Sequence, residues 1–320
     1  MRLFDLPRLA GLSLALVAAH SWAEPPKLDY PINPERIFLL NIANSGERLV
    51  AVGERGVVML SEDQAASWRS VRTSSNRTLS AVAFDNARVG VAVGHGGTLL
   101  RSEDGGQSWV AQDLEEATNG DALLGVAAMG NGRMVAWGAF GLYLLSQDAG
   151  ASWQRIGIID EEFDRHISQI IKLVDGRWLL VGESGTLALS NDQGQTWQAL
   201  TSPYAGSFFG ALQLKDGSLL AFGMRGNLWH STDGGQSWIK RDSGTTLAFN
   251  GAVQLASGRV LVFGNGGLAL TSDDQGQSFQ HLDIARASLA KATELDDGRL
   301  IAVGDSGVRM FDSAALGRQE

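Results

Sequence analysis

A chain of 320 residues that is 44% hydrophobic and 19% charged can bury one large core or two small ones, which excludes a disordered polymer. Its 40 glycines stand beside only 6 prolines and no cysteine. That balance excludes collagen-like and Pro/Gly-rich sequences, together with disulfides, thiolate zinc sites, iron–sulfur clusters and cysteine nucleophiles. A formal charge of −9 argues against nonspecific nucleic-acid binding, which needs a basic face.

In chain order, the first element reads as a signal peptide over 1–23. Arg2 and Arg8 flank its start, the uncharged run LAGLSLALVAA follows over 9–19, and Ser21 and Ala23 form a small-x-small cleavage signal. The run is too short to cross a bilayer, which needs about 20 apolar residues. The expectation is a mature chain exported to the periplasm, or to the thylakoid lumen in a photosynthetic cell, and monomeric there.

Beyond the leader the chain is a repeat. One phrase recurs six times: SEDQAASW at 61–68, SEDGGQSW at 102–109, SQDAGASW at 146–153, SNDQGQTW at 190–197, STDGGQSW at 231–238 and SDDQGQSF at 272–279. The closing aromatic residues are 41 to 44 positions apart, room for one small sheet each. Before each phrase an apolar run ends in G-x-x-G, as in AVGERG at 51–56 and AFGMRG at 221–226; a seventh, AVGDSG at 302–307, has no phrase after it. In the second unit LSAVAF, VGVAVG, GTLLRS and SWVAQD read as four short strands bounded by glycine or aspartate turns, an antiparallel meander. In the phrase, Asp63, Asp104, Asp148, Asp192, Asp233 and Asp274 are assigned a structural role: each carboxylate accepts backbone N–H groups of a tight turn, and the aromatic residue packs between sheets. Ala65 replaces the turn glycine of the first copy, which predicts a slight distortion there.

The fold class expected is all-β, a seven-bladed β-propeller over 24–320. Its blades lie at about 37–76, 77–119, 120–163, 164–204, 205–244, 245–285 and 286–313. The last supplies three strands, and residues 27–33 are placed to close the ring as its fourth. An open solenoid is the competing arrangement, though no polar capping repeat is visible.

The phrase S-x-D-x-G-x-[ST]-[WF] is an Asp-box, similar to the repeat of bacterial neuraminidases. The compound unit, as in VGESGTLALSNDQGQTW at 181–197, resembles the photosystem II stability/assembly factor family more closely. That resemblance implies a non-enzymatic propeller that binds a membrane-protein client or an assembly intermediate, with no cofactor.

Asp-box propellers also include sialidases and other glycosidases, so a glycan-binding or glycoside hydrolase reading stands as the alternative. The resemblance to sialidases would require an R-I-P phrase, which is absent, and an available tyrosine; of Tyr30, Tyr143 and Tyr204 only the last lies in a connection. A glycosidase needs two facing carboxylates at roughly 5–9 Å. Asp160, Glu161, Glu162 and Asp164, with Glu115, Glu116 and Asp121, are the candidates, and all also read as solvated acidic loops. The histidines at 95, 166, 230 and 281 fall in different units without metal-ligand spacing, so no metal site is expected.

In propellers the turns between second and third strands gather with the blade connections on one face. The tips there offer Arg55, His95, Phe140, Met224 and Arg225, and the connections add Arg72, Arg77, Arg165, His166 and Phe208. Arginine, methionine and aromatic residues are enriched in interface cores, so these residues are the expected partner-binding set.

Overall fold

Each unit's second strand is an unbroken apolar run, such as Leu49–Gly53 or Trp178–Gly182, and a strand with no polar face must be covered on both sides. The computed structural model, which describes residues 32–283, 287–312 and 316, meets that demand with a ring of sheets. Blade 1 consists of Leu39–Asn44, Leu49–Gly53, Val58–Ser61 and Arg69–Val71, paired in chain order and antiparallel throughout. Five further blades repeat this four-stranded meander. The seventh has three strands among the described residues, Leu289–Glu294, Arg299–Gly304 and Gly307–Asp312. The protein is a seven-bladed β-propeller.

Its core is divided into seven clusters, each lying between neighbouring blades. Val50 and Val52 point from blade 1 to Leu79, Val82, Ala92 and Leu100 of blade 2, while Leu49 and Ala51 on the same strand point to Ile301 and Val303 of blade 7. The period-2 alternation of the strand thus feeds two cores at once. Each fully buried Val or Leu contributes on the order of 1.5–3 kcal/mol. The blade 7–blade 1 cluster closes the ring by side-chain packing. The expected closing strand, 27–33, lies almost wholly outside the described residues; within them, Pro34 O accepts a hydrogen bond from Val308 N at 2.8 Å. The leader over 1–23 lies outside them as well.

The Asp-box works as its residue types require. In blade 4, Asp192 Oδ1 accepts from Gln195 N, Thr196 N and the Ser190 hydroxyl at 3.0, 2.9 and 2.8 Å, and Oδ2 accepts from the Thr196 hydroxyl at 2.6 Å. The other five aspartates sit in matching nets, and Trp109, Trp153, Trp197 and Trp238 pack from their turns into the core between their own blade and the one before. Donors aimed at the charged form pull these carboxyls below their usual range, to about 2 for Asp148 and Asp233, where the hydroxyls of Ser152 and Ser237 lead. The first turn is not distorted in its hydrogen bonding. Ala65 N donates to Ser61 Oγ at 2.9 Å, the distance found for Gly106 and Gly235. Ala65 instead adopts φ 69, the left-handed conformation that glycine takes elsewhere, so the substitution appears as backbone strain.

Candidate functional site: the turn face

Chain direction builds one face. First and second strands run antiparallel, so the turn after each second strand lies beside the entry to the first, and the pairing Leu39 with Gly53 recurs as Leu79 with Gly94 and Phe208 with Gly223. A backbone bond ties each tip to that entry: Glu54 N to Phe38 O, His95 N to Thr78 O, Glu183 N to His166 O, Met224 N to Ser207 O. The connection to the next blade then crosses over the turn's last glycine. Ser75 O lies 2.0 Å from where a Gly56 Cβ would be, Tyr204 O 2.0 Å from that of Gly185 and Thr245 O 2.0 Å from that of Gly226, so those glycines are required by close approach as well as by positive φ. The Asp-box turns lie on the opposite face, where Gly105 N donates to Arg88 O and Ala149 N to Gly132 O of the turns between first and second strands.

Each tip has an inner and an outer residue. In blades 1, 4, 5 and 7 the inner one serves the fold. Glu54 Oε1 accepts from Phe38 N at 3.1 Å, Glu183 Oε2 from His166 N at 3.0 Å and Asp305 Oδ2 from Ser288 N at 3.0 Å. Met224 occupies this inner place: its sulfur accepts from Ser207 N at 3.3 Å and the residue is half-buried, which corrects its expected role as an exposed contact. The acidic residue directly after the second-strand glycine of units 1, 4 and 7 was the available signal for this role. The outer residue projects to solvent in the left-handed conformation: Arg55 (φ 55), Phe140 (φ 52), Ser184 (φ 53) and Arg225 (φ 56), where Gly96 and Gly266 serve blades 2 and 6.

The expected partner-binding residues fall into three groups. Arg55, Arg72, Arg77 and His95 are exposed over blades 1 and 2, and the Arg77 guanidinium lies across the Gly96 tip, 1.9 Å from where a Cβ would be. Phe140, Arg165 and His166 meet over blades 3 and 4. There the Phe140 ring, 56% exposed, stands edge-on to His166 with centroids 4.9 Å apart, and His166 Nδ1 lies 3.1 Å from Glu183 Oε2. Arg225 is exposed on blade 5. Phe208 is a correction: it is 0% exposed in the core between blades 4 and 5, edge-on to Tyr204, while its neighbour Phe209 is 38% exposed at the central channel. Phe38 and Leu247, 40% and 47% exposed just before first strands, are further apolar residues at this face that composition did not single out.

The two loops that carry the candidate carboxylates of the glycosidase reading do not share one cleft. Asp160, Glu162 and Asp164 line a groove of about 400 Å³ beside Ser184, and Glu115 lines a separate groove of about 280 Å³ beside Arg77. Asp160 Oδ1 is engaged by Glu162 N at 3.0 Å, a local loop contact. No carboxylate lines the central channel among the described residues.

Asp-box turns on one face and arginine- and aromatic-tipped turns on the other define the class: a propeller whose surface loops are suited to recognising a protein. The family model described as "Photosynthesis system II assembly factor YCF48" matches residues 60–243, more than half of the chain, and the protein belongs to that family. Among solved structures, the chain is similar to "YCF48 bound to D1 peptide", with 19% identity, 88% of this chain and 95% of that one covered, and a TM-score of 0.72. YCF48 from Cyanidioschyzon merolae is 18% identical, with 87% and 96% covered and a TM-score of 0.70. The Myceliophteria thermophila Cps50 (Swd1) β-propeller domain, at 13% identity, 89% and 98% coverage and a TM-score of 0.66, shares the architecture. No curated protein matches the chain.

Proposed function

We propose that the protein is a non-enzymatic, exported propeller whose turn face holds a segment of a membrane-protein client and assists the assembly or stability of a membrane complex. Family membership supports the assembly role, and a solved YCF48 of the same fold is described as bound to a D1 peptide. The observation that carries the choice of face is the side chains its tips expose, Arg55, Arg225 and the Phe140 ring at 56% exposure. Arg55, Phe140 and Arg225 hold the left-handed conformation that costs an L-residue roughly 1–2 kcal/mol, at positions where two other blades use glycine.

The test is crosslinking of tagged protein in its native cells, detergent extraction of membranes and mass spectrometry of what co-purifies. One recurrent integral membrane protein, lost when Arg55→Glu and Arg225→Glu are combined at unchanged melting temperature, is the expected result. Capture that survives the double variant removes this face from the reading. Export is tested on the same material, whose N-terminus is expected at Glu24; a product that retains the leader in the cytoplasm refutes it.

A further inference from the structure

The ring encloses a channel cavity of about 340 Å³, lined largely by the second to fourth residues of the first strands. The third position decides what enters it. Gly125, Gly210 and Gly251 pair with Trp137, Phe222 and Phe263 on the neighbouring strand, and those rings lie 2.2, 2.6 and 2.5 Å from where the glycine Cβ atoms would be. Asn41, Ala81, Gln169 and Lys291 pair with Val52, Val93, Val181 and Val303, which are too small to fill that space. Blades 1, 4 and 7 therefore present polar side chains to the channel, and Lys291 and Asn41 stand on adjacent blades where the ring closes.

Lys291 is the single ionisable side chain among the described residues that line the channel, and it has no ion-pair or hydrogen-bond partner among them. Other polar groups that line the same channel have unused capacity. Among the described residues Asn41 makes no side-chain hydrogen bond, the buried Ser80 Oγ has no partner, and Gln169 uses its oxygen on Ala211 N at 2.9 Å while its amide NH₂ has none. We propose that the channel is a binding site for a carboxylate, held by Lys291 Nζ with Asn41, Ser80 and Gln169 as hydrogen-bond donors. One cation with neutral donors matches a planar monoanion with two acceptor oxygens. A phosphate dianion calls for several cations or a helix N-terminus, and the channel lining has neither. The formal charge of −9 also weighs against multiply charged anions.

The channel walls push the Lys291 amine below the ordinary lysine range by desolvation, and a bound anion opposes that shift. Carboxylate binding is therefore coupled to the protonation of Lys291 and weakens as pH rises through its midpoint.

Lysine labelled with ¹³C at Cε reads this directly, because the sequence has only Lys27, Lys172, Lys215, Lys240 and Lys291. Acetate, compared with chloride at equal ionic strength, is expected to shift the signal that Lys291→Gln removes, with saturation, and to raise its pH midpoint. Asn41→Ala keeps the signal and weakens acetate binding roughly fivefold, the loss of one hydrogen bond of about 1 kcal/mol. Should Lys291→Gln not fold, the midpoint lying furthest below the others identifies the signal and Asn41→Ala carries the test. Glycyl-alanine and its C-terminal amide separate the sources of the carboxylate. A shift with the free acid and not the amide shows that the channel admits a chain terminus, and a shift with acetate alone assigns it to small free carboxylates. A Lys291 signal that behaves identically in acetate, glycyl-alanine and chloride overturns the proposal.

Discussion

Replacing Arg55 and Arg225 by glycine separates the two things a tip residue does. Both side chains are exposed and both backbones sit at φ near 55, so the substitution removes little packing and relieves left-handed strain. The relief is about 1–2 kcal/mol per site, against roughly 0.5–1 kcal/mol for the greater freedom of glycine in the unfolded chain. The tips lie on blades 1 and 5 with no shared partner, so the net gains of about 0.5–1 kcal/mol each should add. At about 2.1 cal/mol/K of unfolding entropy per residue, a domain over 24–320 shifts by roughly 1.6 °C per kcal/mol, so the double variant should melt about 2–3 °C higher than the parent by scanning calorimetry. In the crosslinking assay the same protein should lose most of its client. Stability and capture then move in opposite directions, which a merely damaged protein cannot produce. A melting temperature that is unchanged or lower refutes the strain argument, and full capture by the more stable protein refutes the assignment of the face.

Two further variants probe the frame. Asp233→Asn keeps the shape of its box turn and removes the charge its donors stabilise. The native carboxyl titrates at about 2, below its ordinary value, so its contribution is complete above about pH 4 and is lost as the pH falls towards 2. The variant should melt lower than the parent at pH 7 and show a flatter loss of stability between pH 4 and 2; an unchanged acid profile would count against the net. Gly125→Ala places a methyl 2.2 Å from the Trp137 ring, an overpacking cost of about 1–3 kcal/mol that a denaturant titration should detect, whereas Ala81→Gly, opposite the smaller Val93, should cost less.

What could be read from the amino acids is what the backbone demands of residue type. A box turn needs Asp to gather N–H groups, and a crossed tip needs glycine because a carbonyl lies where Cβ would be, so both recur at a countable spacing and the number of blades follows. The side chains at the channel and on the tips were harder, for a physical reason. In all seven blades the pairing of first with second strand shifts register, between Leu39 and Asn41 in blade 1 and between Phe208 and Gly210 in blade 5. A bulge breaks the period of two, so the second and third residues both turn towards the channel, and alternation cannot tell which of Phe208 and Phe209 is core. The same bulge concealed Lys291, which reads as an ordinary solvent-facing position in LAKATEL. Met224 misled for a related reason, since the inner tip position recruits whatever acceptor reaches the strand entry: carboxylate in blades 1, 4 and 7, sulfur in blade 5. Units compared at one structural position, and not each alone, separate the two kinds of residue. In blades 1, 4, 5 and 7 the inner tip residue is an acceptor that the strand entry uses, whereas Arg55 and Arg225 at the outer position, and His95 at the inner position of blade 2, are exposed side chains without such a bond among the described residues.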